Sequence, residues 1–276
     1  MSTEKHYLPD ISISRGLDPA FHHETFSIHT HNNAELFCFL SGKAIYHVEG
    51  SVYSLSPGDM LLMRPGEAHF IETNDHYGYE RIILNFDPAC LTSVDPENIL
   101  LQPLYDRKAG KRNHYRATVF PNDACHQHLD AMLHSANNRP VCLAHLILLM
   151  NELYNIFAQG DTFSPPETAE YRIIRYINNN LEKELSINDL CDRFFLSRSQ
   201  LCQRFKDATG TSVGKYISSK RLILARQKIL QGQKPTSIFA SCGYQDYSTF
   251  YRAYTRFFGY SPKQKPIAEH DRIHLL

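Results

Sequence analysis

Three observations predict an α+β chain of two domains, an N-terminal antiparallel β barrel with flanking helices and a C-terminal all-α domain. First, residues 25–86 break into short alternating segments divided by turn residues, as in small barrels and sandwiches. Second, Ser186–Gly210 and Pro235–Pro262 each read as a short apolar helix, a tight turn and a second, polar helix. Third, the chain carries 29 basic and 29 acidic residues, but unevenly: residues 168–276 hold 18 basic and 9 acidic, residues 1–167 hold 11 and 20. Such an asymmetry suits a C-terminal half that meets a polyanion. At 276 residues, two domains is the expected number.

Taken in order, residues 1–24 read as irregular, with Pro9, Gly16 and Pro19. Strands are expected at Thr25–Ile28, Glu35–Leu40, Lys43–Val48, Ser51–Leu55, Asp59–Met63, His69–Thr73 and Tyr79–Phe86. The turn signals between them include Ser41-Gly42, Glu49-Gly50, Pro57-Gly58 and Pro65-Gly66. Two helices follow, Asn122–Ala136 and Pro140–Phe157. The second carries an apolar stripe of Leu143, Leu146, Ile147, Met150, Leu153, Tyr154 and Phe157, which must be buried against the barrel or a second copy of the chain. Pro165 and Pro166 mark a linker. The expected boundaries are 1–160, a linker 161–168, a helical domain 169–268 and a tail 269–276.

In the first helix-turn-helix, Leu190 and Phe194 share a face, as do Leu201 and Phe205 after the turn. That leaves Ser199, Gln200, Gln203 and Arg204 outward. In the second, Phe250, Tyr254 and Phe257 or Phe258 point inward, and Tyr247, Ser248, Tyr251, Arg252 and Thr255 point out. Ser186, Ser197 and Asp246 suit N-caps, and Gly210 and Gly259 suit helix ends. Gly243 falls in the second turn, where positive φ is often required. Between the units, Val213–Leu230 is apolar-periodic and about 27 Å long as a helix. Outward faces of Ser, Gln, Arg and Tyr with almost no acid suit base edges and phosphates.

Leu201, Arg204-Phe205-Lys206, Gly210, Tyr216, Arg221-Leu222, Ala225, Ile238, Gly243-Tyr244, Asp246, Ser248, Phe250, Arg252, Phe258-Gly259 and Ser261-Pro262 together resemble the DNA-binding domain of the AraC/XylS family of bacterial transcription regulators. The match covers roughly a hundred residues. It departs at Phe239, where the family usually has Ala, at Thr255, usually basic, and at Phe195, where Gly is common. The resemblance implies that the helices Ser197–Ala208 and Asp246–Phe257 enter successive major grooves of double-stranded operator DNA. It implies base contacts from Ser199, Gln200, Gln203, Tyr247, Ser248, Thr249 and Arg252. Arg204 joins the DNA-binding set, and Lys206, Lys215, Arg221, Lys263 and Lys265 are expected phosphate contacts.

In the barrel, His29-Thr30-His31, Glu35 and Gly42, then Gly58-Asp59, Pro65-Gly66 and His69, resemble the two motifs of the cupin domain found at the N-terminus of many such regulators. Arg64, Thr73 and His23 depart from those motifs. In cupins the positions of His29, His31, Glu35 and His69 ligate a divalent metal. Alternate residues of a strand share a side, so His29 and His31 can converge. Imidazoles with a carboxylate suit Fe, Mn, Ni or Zn. The same four residues can instead line a pocket and hydrogen-bond a polar effector. A barrel filled by large apolar side chains would point to a ligand-independent DNA binder.

Seven scattered cysteines without a C-x-x-C spacing suit a reducing cytoplasm. No signal pattern opens the chain, and the apolar run Val141–Met150 is too short to span a membrane. The chain therefore reads as a sequence-specific transcription regulator, an activator and not an enzyme, controlled by a small-molecule effector such as a carbohydrate. Its expected partners are operator DNA, RNA polymerase and a second copy docked through Pro140–Phe157. No cofactor is expected beyond a divalent metal. The alternative is a metal-dependent cupin enzyme with an appended DNA-binding domain.

Overall fold

The computed structural model describes residues 4–18, 28–73, 78–120, 123–135, 138–264 and 273–274. Eleven strands are present among them: β1 Glu4–Tyr7, β2 Ile11–Asp18, β3 His29–Thr30, β4 Ala34–Ser41, β5 Ala44–Val48, β6 Ser51–Leu55, β7 Met60–Met63, β8 His69–Glu72, β9 Tyr79–Phe86, β10 His114–Tyr115 and β11 Ile273–His274. The helices are α1 Ala89–Thr92, α2 Gln102–Tyr105, α3 Ala124–His134, α4 Arg139–Gln159, α5 Ala169–Asn178, α6 Ile187–Phe194, α7 Arg198–Thr209, α8 Val213–Leu230, α9 Pro235–Ile238 and α10 Tyr247–Phe258. One sheet has the order β1-β2-β9-β4-β7-β10, the other β11-β3-β8-β5-β6.

The segment read as irregular contains β1 and β2. Ile11 and Ile13 alternate with Ser12 and Ser14, and β2 pairs antiparallel with β9 along its whole length, from Ile11↔Phe86 to Asp18↔Tyr79. The expected strand Thr25–Ile28 lies outside the described residues except for Ile28, and the described strand begins at His29. His23, Lys265 and most of the expected tail are likewise outside them. The expected helix Asn122–Ala136 is described as α3, its outermost residues falling outside.

The chain forms two compact units, the second being residues 167–276 with the short segments 27–32 and 68–70. Strand β4 is the spine of the first unit. Its run Ala34 to Phe39 is buried on both faces, and Glu35 is the one charged residue in it. Leu36 and Cys38 face a core shared with Leu129, Met132, Leu146, Met150 and Leu153 of α3 and α4. Phe37 and Phe39 face an inner cluster with Tyr46, Tyr53, Leu61, Met63 and Ile83. Helix α4 spans 21 residues and would pass for a membrane span by length and composition, longer than the apolar run suggested. It packs as a core helix, burying Cys142, Leu146, Leu149, Met150, Leu153, Ile156 and Phe157. That stripe is rotated from the expected one: Leu143, Ile147 and Tyr154 are half-buried, and Leu148 is exposed.

A closed polar network fixes the turn between β7 and β8. Glu67 and Arg107 are buried and bonded in parallel, with Nη1 to Oε1 at 2.7 Å and Nη2 to Oε2 at 2.8 Å. Arg107 also donates to the carbonyls of Pro103 and Leu62, and Glu67 accepts from the Gly110 and Arg64 amides and from Asn113. Burial alone would raise the Glu67 pKa; Arg107, Arg64 and the Gly110 amide outweigh it and hold it at about 2. Nearby, Asp59 Oδ2 meets His114 Nε2 at 2.8 Å. Burial would raise Asp59 as well, but the bonds from His114, Ser56 and Ala117 bring it below the usual carboxylate range.

The second unit has two adjoining cores. Ile173, Ile177, Leu190, Leu201, Phe205, Tyr216 and Ile217 make one. Leu222, Ala225, Ile238, Cys242, Phe250 and Tyr254 make the other. Helix α8 supplies residues to both.

Candidate DNA interface and ligand site

Helices α6, α7 and α10 each start on a side-chain cap. Ser186 Oγ accepts from the Asp189 amide at 3.1 Å and so opens α6. Ser197 and Gln200 form a reciprocal capping box at α7: Ser197 Oγ accepts from the Gln200 amide and Gln200 Oε1 from the Ser197 amide. Asp246 accepts from the Thr249 amide at 2.7 Å and its hydroxyl at 2.8 Å, opening α10. Those two bonds, the amide first, hold the Asp246 carboxyl below its ordinary range.

Of the expected inner stripes, Leu190, Leu201, Phe205, Phe250 and Tyr254 are buried, while Phe194, Phe257 and Phe258 are half-buried. Ser199, Gln200, Gln203, Arg204, Lys206, Ser248, Thr249 and Arg252 are exposed, while Tyr247 is half-buried. Several of these already have partners within the chain. Gln203 Nε2 donates to Asp207 at 2.8 Å, and Arg204 lies 3.8 Å from Glu170. Tyr247 stands edge-on to Phe239, with ring centroids 6.0 Å apart, which explains how Phe239 is accommodated. Thr255, expected outward, is half-buried with its hydroxyl oxygen buried, because the α10 stripe is wider than one helical row.

Among the expected phosphate contacts, Lys206, Lys215 and Lys263 are exposed. Arg221 is half-buried and engaged within the chain. Its Nε donates to Leu181 O at 2.9 Å and its Nη2 to Lys183 O at 2.7 Å, tying α8 to the turn after α5. Gly243, at φ +79°, lies against that guanidinium; a Cβ there would come 2.4 Å from Arg221 Cζ. Arg198, the first residue of α7, and Arg256 near the end of α10 are exposed cations that the sequence reading passed over. The position of Arg198 directly after the Ser197 cap was the available signal. In the first turn, Phe195 takes φ +54°, ψ +45° and is 93% exposed. A bulky residue pays for that left-handed conformation where glycine does not.

In the barrel motifs, His29 of β3 sits opposite His69 of β8 in register. Ligand atoms of His31, Glu35 and His69 all lie within 4.8 Å of one another, and all three residues are buried. Tyr46 OH donates to Glu35 Oε1 at 3.3 Å. His29 lies beside this group, its ring centroid 4.4 Å from that of His69 and 6.4 Å from that of His31. Two imidazoles and one carboxylate, buried and converging, fit the donor set of a divalent transition metal.

Residues 190–265 match the helix-turn-helix domain family, and residues 14–149 match the AraC-like ligand binding domain. The transcriptional activator RhaS of Mannheimia succiniciproducens is 25% identical over 265 residues, covering 91% of this chain and 93% of RhaS. The probable transcriptional regulator LumQ of Photobacterium leiognathi is 27% identical over 255 residues, covering 88% and 95%. Among solved structures, ToxT of Vibrio cholerae bound to an unsaturated fatty acid aligns over 92% of this chain and 93% of ToxT, at 13% identity and a TM-score of 0.40. The chain belongs to the AraC/XylS family: it is a ligand-regulated, DNA-binding transcription regulator with an N-terminal cupin-like domain and a C-terminal pair of helix-turn-helix units.

Proposed function

We propose that α7 and α10 each enter a major groove, one helical turn of DNA apart, and that α8 holds them at that spacing. The observation that carries this reading is the pair of capped helices with exposed polar faces, both resting on α8. Ser199, Gln200 and Gln203 read bases from α7, and Tyr247, Ser248, Thr249 and Arg252 from α10. Arg252 suits guanine and the glutamines suit adenine. Lys206, Lys215, Lys263 and Arg198 meet phosphates, and Arg204 lies at the margin. The protein acts in the cytoplasm as an activator that contacts RNA polymerase, and a second copy docks on the exposed side of α4 at Leu148. Sedimentation as a monomer at micromolar concentration would count against that dimer.

The effector is a small polar molecule, with a carbohydrate the first class to try, and it engages His31, Glu35 and His69. A divalent metal held by those three residues would supply a Lewis-acidic centre for an oxygen-bearing ligand. The same cluster is the specific observation behind a second reading, a metal-dependent cupin enzyme with a DNA-binding tail. A genome-fragment binding selection on the purified chain, with and without divalent metal and a panel of sugars, tests the first reading. One motif spanning two adjacent major grooves is the expected result. Unselective, salt-sensitive binding in every condition would overturn it. Metal-free protein with intact, selective DNA binding would dismiss the enzyme reading.

A further inference from the structure

The inner cluster of the first unit includes Phe39, Tyr53, Leu61 and Met63, all fully buried. One ring packed on this cluster comes from outside both sheets. Phe163 belongs to the segment joining α4 to α5, and its ring stands edge-on to Tyr53 at 6.5 Å and to His114 at 5.8 Å between centroids. Its amide donates to His114 O at 2.8 Å and forms an antiparallel bridge.

Three cations of the loop 111–116 clamp the same segment. Lys111 Nζ donates to Pro165 O at 2.6 Å. The Arg112 amide donates to Ser164 Oγ at 2.8 Å, and Arg112 Nε to Thr162 Oγ1 at 2.9 Å. The Arg112 guanidinium also donates to Phe157 O and lies 3.7 Å from the centroid of the Phe157 ring. Arg116 covers the Phe163 ring at 4.1 Å. Arg112 makes these contacts from φ +56°, a conformation unfavourable for a residue with a side chain. Backbone strain concentrated where one residue makes so many contacts marks a segment with a role beyond connection. The loop itself is anchored from behind, by Arg107 on the Lys111 carbonyl and by Asp59 on His114.

We propose that residues 161–166 are a latch: Phe163 plugs the inner cluster, Lys111, Arg112 and Arg116 hold the strap, and the state of the barrel interior decides whether the chain entering α5 is held or released. A molecule that invades the inner cluster must compete with the Phe163 ring for its space. The two latch states then differ in ligand affinity, which is what a ligand-driven switch requires. Phe163 and Arg112 are thus positioning residues, acting on DNA recognition through the strap. The inference rests on the ligand-controlled regulator reading above.

The test uses the full chain, with hydrogen exchange of residues 161–166 and output from a reporter carrying the selected operator. Phe163→Ala is expected to raise exchange across 161–166 at least tenfold, leave protection of α4 and β7 unchanged, and shift reporter output at least threefold. Arg112→Gln should act in the same direction, and Phe163→Leu, which keeps an apolar plug, should restore both readouts towards wild type. The latch is overturned if 161–166 already exchanges at unprotected rates in the wild type. It is equally overturned if the variants open the strap while reporter output stays within a factor of 1.5. Loss of protection throughout α4 and β7 in Phe163→Ala and Arg112→Gln alike would make Phe163 a plain core residue and also refute it. A wild-type chain that selects no operator would strike the regulator reading instead, and the selection reports that independently.

Discussion

The polar residues of the two units are used in opposite ways. Around Glu67 in the first unit, carboxylate, guanidinium, carboxamide and amides are buried and matched to one another. Along α7 and α10 in the second, polar side chains stand in solvent, and their bonds are short-range ones to caps and neighbours such as Asp246–Thr249 and Gln203–Asp207. Buried and matched groups hold a shape; exposed groups with local bonds that water or a phosphate can replace are available for recognition. A single substitution should therefore move stability in one unit and DNA selectivity in the other.

The largest effect is expected from Arg107→Ala, which leaves Glu67 charged and buried without its partner. Chemical denaturation should show a loss of about 3–5 kcal/mol, with operator preference in the folded fraction unchanged. The same pair sets an acid limit. With Glu67 held at about 2 against an ordinary 4.5, its contribution is fully present above pH 4.5 and is lost as pH falls towards 2. Melting curves from pH 6 down to pH 2.5 should show a fall of roughly 3 kcal/mol from this group, and Glu67→Gln should flatten the slope. Smaller is Arg252→Ala on the recognition side, costing about 1–3 kcal/mol of discrimination at one operator position with the melting temperature unmoved. Phe195→Gly should stabilise the second unit by about 1 kcal/mol by relieving the left-handed backbone; a loss of stability would mean that the exposed ring has a folded-state partner. Lys206→Ala should be mildest, weakening all sequences alike and lowering the salt slope by about one. If Arg252→Ala destabilised the fold, or Arg107→Ala changed operator choice, the contrast between the units would fail.

Much of this organisation was legible because it is local. Caps at Ser186, Ser197 and Asp246 and the 3.6-residue stripes of α7, α8 and α10 depend on neighbours within a few positions. What escaped depends on partners distant in sequence. Arg221 reads as a free cation until the carbonyls of Leu181 and Lys183 are placed beside it. The strap at Phe163 has its partners about fifty residues away at 111–116, with no periodicity to announce them. Strands β1 and β2 were overlooked because Pro9 and Gly16 outweighed the Ile-Ser alternation between them.

Helix α8 has a consequence for the DNA as well as for the protein. It gives Tyr216, Ile217 and Ile223 to one core and Leu222 and Ala225 to the other, so neither helix-turn-helix can swing without unpacking the helix they share. A rigid pair of this kind keeps phase with the duplex. Inserting one base pair between the half-sites would turn the second groove by about 34° and move it about 3.4 Å along the axis, and five would carry it to the far side. Operators of this regulator should therefore tolerate base changes inside a half-site far better than any change in the number of base pairs between the two.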